Sequence, residues 1–159
     1  MPSTIIPETR TALESVVGPE NVLTDPDTLA AYGHDEFSLS DIRQPAGIVV
    51  RPKKADEVAA VLRLAASAHL PVTARGGATG LCGGCVPSPG GIVLSLERMN
   101  QVLEIDPVNQ VAVVEAGVTL HELEKAVAEA GFDFPPHPGE ESAAVGGMIA
   151  TNAGGSRAV

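Results

Sequence analysis

With 159 residues, 44% of them hydrophobic and 19% charged, the chain is long enough to bury a core and too apolar to be disordered. Twenty acidic against ten basic residues give a net charge of −10, which opposes binding to nucleic acid or to anionic membranes. The sequence has no Trp, so few side chains could stack on single-stranded bases. No apolar run is long enough to span a bilayer and no signal-peptide pattern is present, so we expect a cytoplasmic protein.

The first half of the chain predicts two short helices followed by a strand–helix–strand unit. Gly18 ends the first helix, and Asp25 is placed to cap the second, which begins at Pro26. The third helix carries Val58, Val61, Leu62 and Ala65 on one face, and the strands on either side of it are expected to be parallel. The predicted elements are helices at 9–17, 26–31 and 55–68 and strands at 47–50 and 71–74.

The second half predicts an antiparallel hairpin followed by two helices. Residues 106–109 are typical of the turn between the last two strands. Thr119 and Glu122 have the spacing of a capping box, and Gly131 follows the end of the helix that they begin. The predicted elements are strands at 92–95, 101–105 and 110–114, helices at 120–130 and 145–152, and an extended segment at 132–139. The fold class is therefore α+β.

Two segments rich in glycine suggest a phosphate-bearing cofactor. The first, residues 75–91, follows the strand at 71–74, and a loop with few Cβ atoms lets backbone N–H groups approach an anion. The second, residues 145–155, could form another wall of the same site. Two plainer interpretations stay open: the first segment could be a surface turn, and the glycine pairs of the second could serve close helix packing.

Two common phosphate loops are excluded by inspection. A Walker loop needs Gly-Lys-Ser/Thr, and no lysine lies between Lys54 and Lys125. The dinucleotide fingerprint needs glycines spaced i, i+2, and the chain has no such pair. What remains is Arg-Gly-Gly-x-Thr-Gly-Leu-x-Gly-Gly from Arg75, and Gly-Gly-x-x-Ala-x-Asn-Ala-Gly-Gly from Gly146.

This pair of motifs resembles the FAD-binding domain of the vanillyl-alcohol oxidase and p-cresol methylhydroxylase (PCMH) superfamily. Within it, the chain is most similar to the branch of glycolate oxidase FAD subunits, D-lactate dehydrogenases and D-2-hydroxyglutarate dehydrogenases. The resemblance runs from Gln44 to the end, with a weaker match at Tyr32-Gly-His-Asp35. It implies a PCMH-type fold, with FAD between a small βαβ subdomain and an antiparallel α+β subdomain. We expect an N-terminal helical segment at 1–43 and an FAD-binding domain at 44–159 that is incomplete at its C-terminal end, with the substrate domain absent.

The resemblance also implies which residues bind FAD. The pyrophosphate loop would donate backbone N–H groups and the Thr79 hydroxyl, and a helix beginning near Gly146 would add a positive dipole end. The loop residues are Arg75, Gly76, Gly77, Ala78, Thr79, Gly80, Leu81 and Cys82. The residues lining the flavin and completing the wall are Pro136, Gly139, Ser142, Gly146, Gly147, Ala150, Asn152, Gly154 and Gly155.

Cysteine and histidine bear on the chemistry less directly. Cys82 and Cys85 have zinc or dithiol spacing, but no histidine pair accompanies them and Val-Pro-Ser-Pro follows, so we interpret them as inert loop residues and predict no metal. His137 replaces the Asp expected in this branch; it could alter contacts near the flavin or be tolerated at a loop edge. No histidine lies between His69 and His121, so the covalent attachment known in some superfamily members is not expected and FAD should be non-covalent.

The resemblance implies an FAD-dependent oxidoreductase that oxidises a 2-hydroxy acid, such as glycolate or D-lactate, by hydride transfer to FAD. The base and the arginine that holds the substrate carboxylate come largely from the absent C-terminal domain, so we assign no catalytic residue, and Arg75 is expected to serve cofactor or structure. An alternative is a non-catalytic flavin-binding subunit that completes its pocket with a partner chain, or a homo-oligomer. A cell-wall precursor reductase or a molybdenum-hydroxylase FAD subunit is disfavoured by the motif that ends at Gly155.

Overall fold

The computed structural model describes residues 5–37 and 43–155, which form two subdomains of mixed α and β structure. The helices are α1 (Pro7–Val17), α2 (Pro26–Ala31), α3 (Ala55–Ser67), α4 (Leu120–Glu129) and α5 (Val145–Ala150). The strands are β1 (Val22–Leu23), β2 (Ile48–Val50), β3 (Val72–Arg75), β4 (Ile92–Ser95), β5 (Val102–Asp106) and β6 (Val111–Val114). A 3₁₀ turn, Pro19–Asn21, joins α1 to β1. The predicted α+β class is confirmed.

The first subdomain is a four-stranded sheet in the order β1-β2-β4-β3. Both β2 and β3 run parallel to β4, and β1 pairs antiparallel with β2. The two strands of the predicted strand–helix–strand unit therefore point the same way, but β4 lies between them. Every residue of β2 and β4 is buried, as expected for central parallel strands with both faces covered.

The main core lies where α1 and α3 pack on one face of this sheet. Leu13 of α1 and Val61 of α3 are fully buried with Ile48 and Ile92 of the central strands. The predicted apolar face of α3 is confirmed for Val61 and Ala65. It was wrong for Leu62, which is 45% exposed because the sheet covers only the stripe through Val61 and Ala65.

The second subdomain is the β5–β6 hairpin with α4 and α5. The predicted antiparallel pairing is confirmed, with an irregularity in register between Val102 and Glu104. The capping box of α4 is also present: the Glu122 amide donates to Thr119 Oγ1 at 3.2 Å, and the Thr119 amide donates to Glu122 Oε2 at 2.8 Å. A second core forms where Leu123 and Val127 of α4 pack with residues of the hairpin and with Phe132.

Candidate cofactor-binding site

The glycine-rich loop leaves the carboxyl end of β3 and immediately meets the segment that precedes α5. A Cβ atom built on Gly76 would lie 2.8 Å from the Cβ of Ala144, and one built on Gly77 would overlap the carbonyl oxygen of Ser142. Only glycine lets the two segments approach this closely. The structure thus brings the beginning of the loop against residues 142–144, next to the second glycine-rich segment.

Within the described part of the chain, most amides of this loop have no protein acceptor. Among the residues that the structure describes, none of the backbone N–H groups from Gly76 to Cys82 donates a hydrogen bond to the protein. The Thr79 hydroxyl also has no partner within the described segments. The first paired amide beyond this run is that of Gly83, which donates to Asp35 Oδ2 at 2.7 Å. Successive free N–H donors are the arrangement with which loops bind phosphate anions.

The outer part of the loop is open to solvent. Gly80, Leu81 and Cys82 are exposed, and a Cβ on Gly80 would meet only Asp35 Oδ2, at 3.8 Å. Ala78 has a φ of 58°, in the left-handed region that residues with a side chain seldom adopt. Its carbonyl accepts a hydrogen bond from the Glu36 amide at 3.1 Å, which helps to hold this conformation.

The side chain of Arg75 binds the protein. Its Nη1 donates to the carbonyl oxygen of His34 at 2.6 Å, and its guanidinium lies 5.1 Å from the centre of the Tyr32 ring. The guanidinium therefore ties the start of the loop to residues 32–34.

The first turn of α5 offers fewer free amides than its sequence suggests. The amide of Val145 donates to the Val118 carbonyl and that of Gly146 to the Ala116 carbonyl, each at 2.8 Å. A Cβ on Gly146 would lie 2.8 Å from the Cβ of Ala116, so this glycine serves close packing. Gly147 differs: a Cβ would meet nothing within 4 Å, and its amide donates to no acceptor in the described part of the chain. The helix thus begins at Val145, close to the predicted position, but the protein itself uses the two amides before Gly147.

The remaining predicted residues lie before and after α5 in the chain, at positions 136–142 and 150–155. Gly155 sits where a Cβ would overlap the carbonyl oxygen of His137, so the chain after α5 is packed on the 137–139 segment. Ser142 accompanies the loop contact and donates through Oγ to Glu140 at 2.7 Å. The His137 ring contacts α4, with Nδ1 2.9 Å from Glu124 Oε1. The other residues in this group are exposed or half-buried. They are Pro136, Gly139, Ala150, Asn152 and Gly154.

Two depressions adjoin these residues. A small cleft of about 150 Å³ is lined by Gly76 and Gly77 on one side and by Thr119, Ser142 and Ala144 on the other. A wider, mostly apolar groove of about 1050 Å³ runs between β6, α4, the 132–136 segment and α5, and Pro136, Gly146 and Asn152 line it. Cofactor-sized volume is therefore available beside the second subdomain, while Gly76 and Gly77 at the start of the loop border the small cleft.

Cys82 and Cys85 are both free thiols in the structure. Burial raises the pKa of the Cys85 thiol, although the nearby Arg75 guanidinium partly offsets this effect. A thiol held in its protonated form is a weak nucleophile and a weak metal ligand. Among the described residues no group of three potential ligands gathers around them or elsewhere.

Sequence reasoning missed several contributors to the site. Asp35 is only 5% exposed and accepts the Gly83 amide, yet it entered the sequence analysis solely through a weak motif match. Ala116 and Val118 supply the carbonyls that occupy the amides of α5. No local pattern marks these two residues, because their contacts join segments that are distant in sequence. The weak match at Tyr32-Gly-His-Asp35 was the one signal available for Asp35.

The same architecture occurs in solved structures. The structure of p-cresol methylhydroxylase with substrate bound superposes with a TM-score of 0.79 over 94% of this chain and 30% of that one, at 20% identity. The chain thus has the PCMH-type FAD-binding fold that the sequence suggested. The FAD binding domain family matches residues 46–159, and the chain belongs to that family, so that FAD is its cofactor.

Proteins of similar sequence indicate the branch of the superfamily to which the chain is related. D-lactate dehydrogenase of Archaeoglobus fulgidus is 55% identical over 112 residues, which are 70% of this chain and 25% of that protein. Glycolate oxidase subunit GlcD of Bacillus subtilis is 34% identical over 154 residues, which are 96% of this chain and 32% of that protein. The resemblance to this branch is confirmed, and the chain spans about a quarter to a third of the length of these relatives.

The described segments include no helix that is long and apolar enough to cross a bilayer.

Proposed function

We propose that the loop from Gly76 to Cys82, together with Gly147, binds the diphosphate of FAD without a covalent bond. The observation that carries this proposal is the run of loop amides for which residues 5–37 and 43–155 offer no acceptor, beside a glycine whose Cβ would meet none of their atoms within 4 Å. Free N–H donors suit phosphate oxygens, and the glycines of the loop let the diphosphate approach the backbone. The residues present therefore fit the cofactor of the family.

The remaining predicted contacts belong to this proposal in a second group. Pro136, Gly146 and Asn152 line the apolar groove, which offers a surface for the flatter part of the cofactor. We include Gly139, Ser142, Ala150, Gly154 and Gly155 as backbone contacts on the sequence motif alone.

We further propose that the protein oxidises a 2-hydroxy acid. Bound FAD supplies a hydride acceptor for such a reaction. The names of the relatives, a D-lactate dehydrogenase and a glycolate oxidase subunit, support this substrate class. In this chain the Arg75 guanidinium donates to the His34 carbonyl, so we assign Arg75 to the loop and not to the substrate carboxylate, and we assign no residue of this chain as the clamp or the base.

A non-catalytic flavin-binding subunit is the second candidate. The open apolar groove favours it, because a partner chain could complete the flavin pocket there. Turnover of D-lactate or glycolate by the purified full-length protein, without a partner chain, would exclude this alternative. A cytoplasmic location stays a prediction of the sequence.

Titration of the chain with FAD, followed by flavin fluorescence, tests the cofactor proposal. We expect saturable binding that ADP displaces and adenosine does not, because ADP carries the diphosphate for which the loop amides are free. Acid or heat denaturation should release all of the flavin into the supernatant. Flavin that stays with the precipitated protein would contradict non-covalent binding, and equal displacement by adenosine would contradict the phosphate site.

A further inference from the structure

Asp35 is a buried carboxylate that binds two backbone amides. It is 5% exposed, and its Oδ2 accepts the Gly83 amide at 2.7 Å while its Oδ1 accepts the Phe37 amide at 3.0 Å. The second bond closes a local turn around Asp35. The first bond spans 48 residues of sequence and reaches Gly83, directly after the run of loop amides from Gly76 to Cys82. A buried carboxylate is costly unless its oxygens are paired, and here both are.

Asp35 belongs to a short segment that fastens the loop at three places. The loop begins at Arg75, which donates to the His34 carbonyl at 2.6 Å. Its middle is held by the bond from the Glu36 amide to the Ala78 carbonyl at 3.1 Å. Its end is held by Asp35 at Gly83. Residues 34–36 therefore fix both ends and the centre of the loop whose intervening amides are free.

We infer that Asp35 is a positioning residue for the cofactor loop: its carboxylate holds the Gly83 amide and so keeps the amides of Gly76 to Cys82 turned toward the phosphates. The inference rests on the proposed function. It assigns this role to a residue that lies before the family match, which begins at residue 46. We assign Asp35 no direct contact with the cofactor, because it acts through the loop backbone.

Because Asp35 is charged, the direction in which FAD affinity changes on removal of that charge tests the inference. A carboxylate close to a diphosphate repels it, so a variant that only removed the charge would bind FAD more tightly. If Asp35 positions the loop, the same variant binds FAD more weakly. Asp35→Asn removes the charge with little change of shape, and it leaves one of the two amides facing an NH₂ group instead of an oxygen.

The test compares the affinity of the chain and its variants for FAD, ADP and riboflavin. Asp35→Ala should weaken FAD and ADP binding by the same factor, about tenfold, since each loses a preorganised diphosphate site. Asp35→Asn should weaken both by a smaller factor, and neither variant should change riboflavin binding, because riboflavin has no phosphate. Asp25→Ala is the control, and it should leave the affinity for all three ligands unchanged: Asp25 also accepts a backbone amide, from Thr28, but as the cap of α2, away from both depressions.

Each outcome has one meaning. Tighter or unchanged FAD binding by Asp35→Asn overturns the inference, and so does an equal loss of all three ligands. Should Asp35→Ala not fold, Asp35→Asn carries the test alone. If the unmodified chain binds no FAD, the proposed function fails and the positioning role fails with it. If that chain binds FAD and the Asp35 variants match it, the inference alone is overturned.

Discussion

At the scale of single residues, the glycines of the site divide into two kinds. Gly76, Gly77 and Gly146 lie where a Cβ would meet another part of the protein, so packing explains them. Gly80 and Gly147 lie where a Cβ would have room, and neither has a positive φ that would demand glycine. Their lack of a side chain has no explanation within the described protein, and a ligand that approaches the backbone provides one. Close packing, the plainer interpretation of the glycine pairs, holds for Gly146 and not for Gly147.

Gly80→Val tests this distinction at the loop. The side chain would meet only Asp35 Oδ2 at an ordinary distance, so the free energy of unfolding should change by less than about 1 kcal/mol. FAD affinity should fall by about tenfold or more, because the branched side chain blocks approach to the loop amides. The measurements are urea unfolding of the cofactor-free chain and flavin fluorescence titration.

Gly84→Val is the matched control for that variant. Gly84 lies in the same loop and a Cβ there would also meet no described atom within 4 Å, but the paired amide of Gly83 separates it from the run between Gly76 and Cys82. We expect near-normal FAD affinity for this variant. Unchanged affinity in Gly80→Val, or an equal loss in both variants, would contradict the placement of the diphosphate between Gly76 and Cys82.

At the scale of elements, local sequence determined the helices well. Asp25 caps α2 by accepting the Thr28 amide at 3.0 Å, and α2 has the bounds that its cap and Pro26 predicted. The capping box at Thr119 likewise begins α4. These signals act over three or four residues, so they can be seen without a fold. The order of the strands in the sheet could not be seen, because β4 pairs with β2 and β3 through contacts between distant segments.

The short helix α5 permits a test with two adjacent glycines. Gly147→Ala should raise the free energy of unfolding of the cofactor-free chain by roughly 0.5–1 kcal/mol, because alanine favours a helix and the methyl group has open space. The same methyl group should weaken FAD binding. Gly146→Ala should lower the free energy of unfolding by about 1–3 kcal/mol, because its Cβ would lie 2.9 Å from the Ala116 carbonyl oxygen.

Urea unfolding without cofactor and FAD titration, made on both variants, separate the two effects. A Gly147→Ala chain that is more stable and binds FAD as well as the unmodified chain would remove Gly147 from the site. A Gly146→Ala chain of normal stability would show that the packing against Ala116 relaxes easily.

At the scale of the whole molecule, the net negative charge repels the FAD diphosphate, whereas the proposed site attracts it. The chain has a net charge of −10, and the FAD diphosphate is also negative. Arg75, the cation at the start of the loop, is held by the protein, so the phosphates would be bound by backbone amides and not by this guanidinium. Amides bind an anion without a formal charge to attract it from a distance.

This opposition predicts an unusual salt dependence. The rate constant for FAD association should rise several-fold between about 20 and 200 mM salt, because screening weakens the repulsion between protein and ligand. The dissociation rate constant should stay nearly constant, since short hydrogen bonds are screened little. Stopped-flow flavin fluorescence measures both, and uncharged riboflavin is the control whose association should not respond. An association rate that falls with salt would mean that cationic side chains attract the cofactor.

The sequence by itself determined the helices, the hairpin, the glycine-rich motifs and, through them, the family and its cofactor. All of these depend on neighbouring residues, whose spacing is visible in the chain. Only the tertiary structure decided that Arg75 faces the His34 carbonyl, that Asp35 holds Gly83 and that Ala116 occupies the Gly146 amide. Those contacts join segments tens of residues apart, and which donors they leave free is fixed when the segments pack together.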